Sequence, residues 1–276
     1  MNYDIIIIAK YVFKGVSVMN QKKWELTGFQ LKLIGIILML CDHIHQMFIY
    51  TNPPAILAIL GRLVFPIFLF LSAEGYHYTK NKKKYMQRLL IGFWLMNIGD
   101  TLIWKILPME DVVLANNVFG ALFLAVVCMY AIDCLKNKQW IKGIILLILP
   151  IVPSLMFLVG DPASSISFYV ISIFPSYFTV EGGLAGIVLG VLFYVLREKR
   201  SLQFIALALI AILSTKFNFT GLFSTNRQWM MAFAIIPLAL YNGQKGKGSK
   251  YFFYIFYPAH IYILYVLSYI YLNYFI

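Results

Sequence analysis

The chain has 276 residues, of which 61% are apolar and 12% charged, and its mean hydropathy is +0.79. Soluble domains lie nearer ~45–50% apolar and ~25% charged, so a soluble enzyme is excluded and a polytopic membrane protein is implied. The net charge of +12 would suggest a nucleic-acid partner in a soluble chain; here the basic residues gather in short connections, where they report topology, and no nucleic acid is expected.

Residues 1–25 read as an interfacial or poorly ordered lead-in. The run Ile5–Ala9 is followed by Lys10 and Lys14, without the charge-first order or small-residue cleavage site of a signal peptide. Residues 26–276 read as one transmembrane domain. A helix of ~20 apolar residues spans a bilayer core. Segments of about that length recur at Gly28–Tyr50, Ala55–Tyr78, Met86–Leu107, Leu114–Leu135, Ile141–Val159, Gly182–Leu196, Leu202–Leu222, Gln228–Tyr241 and Tyr251–Tyr274. The expected fold class is all-α, a polytopic transmembrane helix bundle of about nine spans. Ile166–Phe174, inside the Gly160–Val180 loop, reads as a short re-entrant or amphipathic piece.

Charge gives an independent check on the count. Basic clusters precede span one (Lys10, Lys14, Lys22, Lys23) and follow span two (Lys80, Lys82, Lys83, Lys84, Arg88). They recur after span four (Lys136, Lys138, Lys142), span six (Arg197, Lys199, Arg200) and span eight (Lys245, Lys247, Lys250). The alternate loops carry Glu110, Asp111, Asp161 and Glu181. The positive-inside rule therefore puts the N-terminus in the cytoplasm and the C-terminus outside, in a multi-pass protein of the cell membrane. Cys41, Cys128 and Cys134 show no metal or redox spacing and read as small core residues. No metal site is expected.

Ionisable residues inside such spans are costly, ~2.5–3.5 kcal/mol for an Asp at a helix centre on insertion scales, and mark functional sites. Span one carries Asp42, His43 and His45 towards its outer end. Residues three apart share a helix face and adjacent ones do not. Asp42 can therefore orient His45, while His43 projects about 100° away. Either imidazole can take a proton from an incoming hydroxyl or amine near neutral pH. In span two, Arg62 is expected to pair with Asp42, Pro66 to kink the helix, and Glu74 and His77 to line an approach from the cytosol. Span three places Asn97, Asp100 and Thr101 on one face, span four opens with Asn116 and Asn117, and span nine holds Tyr257 and His260. These residues form a polar column, with Asp42, His43, His45, Arg62 and Asp100 towards the outside and Glu74, His77 and His260 nearer the cytosol. The column would suit an acid/base enzyme or a proton-coupled transporter.

Four blocks carry a resemblance. They are LKLIGIILMLCDHIHQMF, LGRLVFPIFLFLSAEGYHYTKNKKKYMQRLL, NNVFGALFLAVVCMYA and LALYNGQKGKGSKYFFYIFYPAHIYILYV, in that order across nearly the whole chain after Lys23. With them the chain resembles the TraX family of membrane proteins, linked to acetylation of the N-terminus of conjugative pilin. That family looks distantly related to transmembrane acyltransferases such as heparan glucosaminide N-acetyltransferase, which use cytosolic acetyl-CoA and an acceptor on the far side. The resemblance implies an acetyl-CoA-dependent O- or N-acetyltransferase with a membrane histidine as base, acting on a peptide N-terminus or glycan. The matching Asp-His pair is Asp42-His43, so the resemblance favours His43 where helix geometry favours His45. Arg62, Glu74, Asn116, Tyr257 and His260 are the candidates for holding the acyl donor. The chain departs from the family in span three, where a Ser-Gln/Glu-x-Pro stretch is replaced by Met96-Asn97-Ile98-Gly99-Asp100. If that stretch shapes the acceptor pocket, the acceptor differs from pilin. The two other readings are a permease using the same column and a non-catalytic assembly protein for pili or surface polymers.

Overall fold

The computed structural model describes residues 24–114, 116–159, 165–248 and 252–275. Nearly all of the N-terminal lead-in lies outside the described residues, as do Asp161 and Lys250. The regular elements among the described residues are all helical, with no strand; a single bridge joins Leu26 to Tyr241.

The first helix, α1 (Gly28–Met47), starts on a capping box: the Thr27 side chain accepts from the Gln30 N–H at 3.3 Å, and the Gln30 side chain accepts from the Thr27 N–H at 2.9 Å. Two further first-turn donors, Gly28 N–H and Phe29 N–H, would be orphaned at a helix start. They donate to the carbonyls of Gln244 and Lys245 at 2.7 and 2.9 Å. The Tyr241–Gly248 loop is thereby fastened across the start of α1.

The second apolar segment breaks into α2 (Ala55–Gly61) and α3 (Val64–Tyr78). Pro66 has no N–H to give the Arg62 carbonyl four residues earlier, and its ring crowds that carbonyl. The chain turns at Arg62-Leu63 with tighter bonds, Arg62 N–H to Ile59 O at 3.2 Å and Leu63 N–H to Leu60 O at 3.3 Å. The proline thus sets the position of Arg62. Next come α4 (Lys82–Ile106) and α5 (Val118–Lys136). They are followed by α6 (Trp140–Ile148), α7 (Ile151–Val159) and α8 (Ser165–Ile173). After them run α9 (Gly183–Val195), α10 (Arg200–Ser214), a 3₁₀ segment Gln228–Ala234 continuing into α11 (Ile235–Ala239), and α12 (Phe252–Phe275).

Among the described residues five helical segments are long and apolar enough to cross a membrane: Gly28–Met47, Ala55–Tyr78, Lys82–Ile106, Val118–Lys136 and Phe252–Phe275. Four shorter apolar ones, Trp140–Leu155, Gly183–Val195, Arg200–Ser214 and Gln228–Ala239, fall where the remaining four of nine spans were expected. Their shortness has local causes. Pro150 and Pro153 interrupt the first of them, so α6 and α7 meet at a break. The last opens as a 3₁₀ segment. A helix does form at Ser165–Ile173, where the amphipathic piece was expected.

α5 is the central helix, packed against α3, α4, α6 and α9. α1 lies against α2, α3 and α12. Outward faces carry Ile37, Leu95, Ile98, Ile205, Leu209 and Ile263, all more than half exposed. Large apolar side chains covering the outside of a helix bundle are the mark of a protein solvated by lipid.

Candidate functional site

A cavity of about 1150 Å³ runs between α1, α3, α4, α9 and α12. It touches α1 from Gly28 to Gln46, eighteen positions or ~27 Å at ~1.5 Å per residue, close to a bilayer core of ~30 Å. The cavity therefore reaches through most of a membrane's thickness.

At its far end from Gly28 stands His43, 4% exposed. Its Nδ1 lies 2.6 Å from Nε2 of His260, and His260 Nδ1 lies 2.8 Å from the Phe256 carbonyl oxygen. A carbonyl only accepts, so His260 carries its proton on Nδ1. A neutral His260 then offers Nε2 as acceptor, and His43 donates from Nδ1. The lone pair of His43 is left on Nε2, and the Asn116 amide donates to it at 3.0 Å. The second Asn116 hydrogen goes to Gln46 Oε1 at 2.8 Å, and Gln46 Nε2 donates to Asp42 Oδ2 at 3.0 Å. Arg62 closes the row, donating to Asp42 Oδ1 at 2.9 Å and to Gln228 Oε1 at 3.2 Å. Eight groups from α1, the α2–α3 turn, the start of α5, the 3₁₀ segment and α12 thus form one chain of hydrogen bonds, each used in a compatible direction. A buried polar network of this kind holds its members in one geometry only when every link is satisfied.

Close packing makes the network possible. A Cβ on Gly61 would collide with the Asp42 carboxyl, and one on Gly182 would collide with the Phe65 ring. Gly182 also has φ +71°, a left-handed conformation open to glycine at no steric cost.

A family profile described as TraX protein matches residues 27–268. The chain belongs to the TraX family. It is also 26% identical over 252 residues to the probable fimbrial assembly protein FimC, serogroup H1, of Dichelobacter nodosus, covering 87% of this chain and 95% of that protein. No solved structure matches.

In this TraX-family chain, Asp42, His43, Arg62, Glu74, Asn116 and Tyr257 all line the cavity, and His260 backs His43 from behind. His45 does not line it. It is half-exposed, and the Asp42 carboxylate is taken by Arg62 and Gln46 instead. His260 sits against His43 because α1 and α12 run side by side, in contact from Phe29–Phe253 through His43–His260 to Tyr50–Ser268. Glu74 lines the cavity but is engaged by Arg197 Nε at 3.0 Å and by the Tyr241 hydroxyl at 3.2 Å. His77 and Asp100 are outside the cavity.

The departure at Met96–Asp100 falls behind the site. None of those five residues lines the cavity; Asn97 bonds to Asn117 and to the Ser172 carbonyl, and the Tyr262 hydroxyl donates to Met96 O at 3.1 Å. It supports the α4–α8 and α4–α12 contacts and does not touch the space beside His43.

Three contributors escape a reading of the sequence. Gln46 and Gln228 link Asp42 and Arg62 to their neighbours; as uncharged residues in apolar runs they give little signal. Glu181, which the sequence showed only as an acid of an alternate loop, lines the cavity and is exposed to it. Desolvation by the protein around it, with Asp42 nearby, pushes its carboxyl up to about 7 against the opposing pull of Arg62. The Tyr257 hydroxyl accepts from the Val118 N–H at 3.1 Å, so its own hydrogen remains available to a guest in the cavity.

Proposed function

We propose that the protein is a membrane-embedded acyltransferase of the cell membrane that moves an acetyl group from cytosolic acetyl-CoA to an amine or hydroxyl acceptor reaching in from outside. The observation that carries this reading is the position of the His43 Nε2 lone pair, held at the deep end of a cavity long enough to bring a cytosolic thioester to it. The nine-span arrangement with a cytoplasmic N-terminus belongs to the same proposal, since it puts the Gly28 end of the cavity on the cytosolic side. The acyl donor is a substrate in this reading, and its long pantetheine arm suits an elongated, half-polar channel.

In this scheme the acceptor displaces the Asn116 amide and gives its proton to His43 Nε2 while its nitrogen or oxygen attacks the thioester carbonyl carbon. His260 takes up part of the imidazolium charge through the Nδ1–H bond, as an orienting partner does for a general base. The carbonyl oxygen becomes an oxyanion, stabilised by the free Tyr257 O–H and the released Asn116 N–H. The carbon–sulfur bond then breaks, the thiolate collects the proton from His43, and free CoA and the acetylated acceptor leave on opposite sides.

The test uses purified protein in lipid nanodiscs with acetyl-labelled acetyl-CoA and membranes of the native host as acceptor. Label appearing in a host component supports the reading; intact acetyl-CoA with a folded protein overturns it. A second reading, a pilus-related role without catalysis, is favoured by the name of the Dichelobacter nodosus relative, a probable fimbrial assembly protein. It predicts normal pilus assembly in a His43→Ala strain.

A further inference from the structure

The cavity's Gly28 end has a different chemistry from its His43 end. Four cations line it: Lys32 on α1, Lys80 in the α3–α4 turn, Arg88 on α4 and Lys245 on the loop that covers the start of α1. Lys32 and Lys245 are close enough to repel each other. Of the acids near by, Glu74 is already held by Arg197 and Tyr241. No acid forms an ion pair with any of the four cations among the described residues. The Arg88 Nε–H is buried without a hydrogen-bond partner.

Like charges lining one partly desolvated space raise the free energy of the empty fold. An unmade charged donor raises it further. Both are relieved by an anion bound among them. Two rings accompany the cations: the Lys32 ammonium stands 5.0 Å from the Phe253 centroid, and the Arg88 guanidinium 5.7 Å from that of Tyr85. Phosphate between these groups, with a planar base against the rings, would satisfy every feature. The backbone is arranged for this. Lys245 is brought opposite Lys32 because its carbonyl caps Phe29, and the loop bends there through Gly243 and Gly246, at φ +80° and +73°.

We propose that Lys32, Arg88 and Lys245, with Lys80 at the rim, form a phosphate site that takes the nucleotide end of the acyl donor. The proposal rests on the acyltransferase reading for the identity of the ligand, and on the uncompensated cations for its chemistry. It moves donor recognition away from Arg62, Asn116 and His260, which the hydrogen-bond chain already occupies. A negatively charged lipid headgroup presents the same chemistry.

The experiment is calorimetric titration of the protein in nanodiscs of zwitterionic lipid with coenzyme A, 3′-dephospho-coenzyme A, pantetheine and inorganic pyrophosphate. The expected order is coenzyme A tightest, then the dephospho form, then pantetheine. Lys32→Gln, Arg88→Gln and Lys245→Gln each weaken coenzyme A by about tenfold or more, the scale of one charge-assisted hydrogen bond, and leave pantetheine unchanged. Lys32→Arg, which keeps the charge, retains binding and shows that the fold survives a change there. Coenzyme A binding equally well to the charge-removing variants, or pantetheine matching coenzyme A, overturns the proposal. If coenzyme A and pantetheine both fail to bind while pyrophosphate binds and Lys245→Gln abolishes it, the phosphate site stands and the acyltransferase reading falls. Repeating the titration in phosphatidylglycerol nanodiscs separates the two sources. Competition by the lipid assigns the site to headgroups, and undiminished coenzyme A binding assigns it to the donor.

Discussion

At one end of the cavity His43, Asn116, Gln46, Asp42 and Arg62 each have a protein partner; at the other, Lys32, Lys80, Arg88 and Lys245 form no ion pair with an acid among the described residues. The first end is satisfied and therefore rigid, with the His43 Nε2 lone pair covered by the Asn116 amide. The second is unsatisfied and therefore suited to binding a guest of opposite charge. A catalytic group gains from being held before the substrate arrives, whereas a charged handle is useful only if its own protein leaves it unpaired. On the acyltransferase reading, the same cavity separates the two tasks along its length.

The largest expected effect breaks the satisfied end at its centre. His43→Ala lowers acetyl transfer by ~10²–10⁴-fold, the range for loss of a general base, with coenzyme A affinity unchanged. A variant that binds less coenzyme A in proportion to its lost rate would move His43 from proton transfer to donor binding. Next comes His260. His260→Ala removes the acceptor for the His43 Nδ1–H and lets the ring choose the other tautomer. A fall of about 10²-fold in kcat with little change in KM is expected, the scale of a mispositioned catalytic group. His260→Gln, whose amide oxygen can take the same hydrogen bond, recovers a substantial part. Equal losses in both variants would make His260 a packing residue only.

Much of this arrangement was visible in the sequence, for reasons that differ between elements. The all-α class and the apolar segments follow from hydropathy, because lipid forces the backbone to satisfy its own hydrogen bonds. Arg62 beside Asp42 was visible because a charge inside a span must find its opposite. The His43–His260 contact was not: it joins residues 217 positions apart, and it depends on how α12 packs along α1, which no periodicity encodes. Depth measured from span ends placed His260 nearer the cytosol; the packing of α12 along α1 brings its ring against His43. Helix periodicity also tied Asp42 to His45. It could not show that Arg62, delivered by the Pro66 break, and Gln46 would occupy that carboxylate instead.

A smaller effect tests the Asp42–Arg62 link. Arg62→Ala leaves Asp42 with only Gln46 to bond. Breaking a fully buried pair costs ~3–5 kcal/mol. Arg62 retains 30% of its side-chain exposure, so a loss of about 2 kcal/mol is expected on that scale, read as a lowered unfolding temperature in detergent. Adding Asp42→Asn should restore most of it, since the stranded charge is then gone. If the double variant is as unstable as the single one, the loss comes from the arginine's packing and its bond to Gln228, not from the carboxylate.

The smallest expected effect separates the two imidazoles of α1. His45 is partly exposed and does not line the cavity, and its side chain makes no hydrogen bond among the described residues. Its neighbour Asp42 already bonds twice. Truncating a side chain with so few commitments shifts stability by about 0.5 kcal/mol or less. Acetyl transfer by His45→Ala should then stay within about twofold of the parent protein, against orders of magnitude for His43→Ala. The pair of variants is informative because the residues are two positions apart on one helix, so a general disturbance of α1 would strike both. A collapse of activity in His45→Ala with His43→Ala spared would place the base on the outer, wetter face of α1, and the tautomer order fixed by Phe256, His260 and Asn116 would then serve the fold and not the reaction.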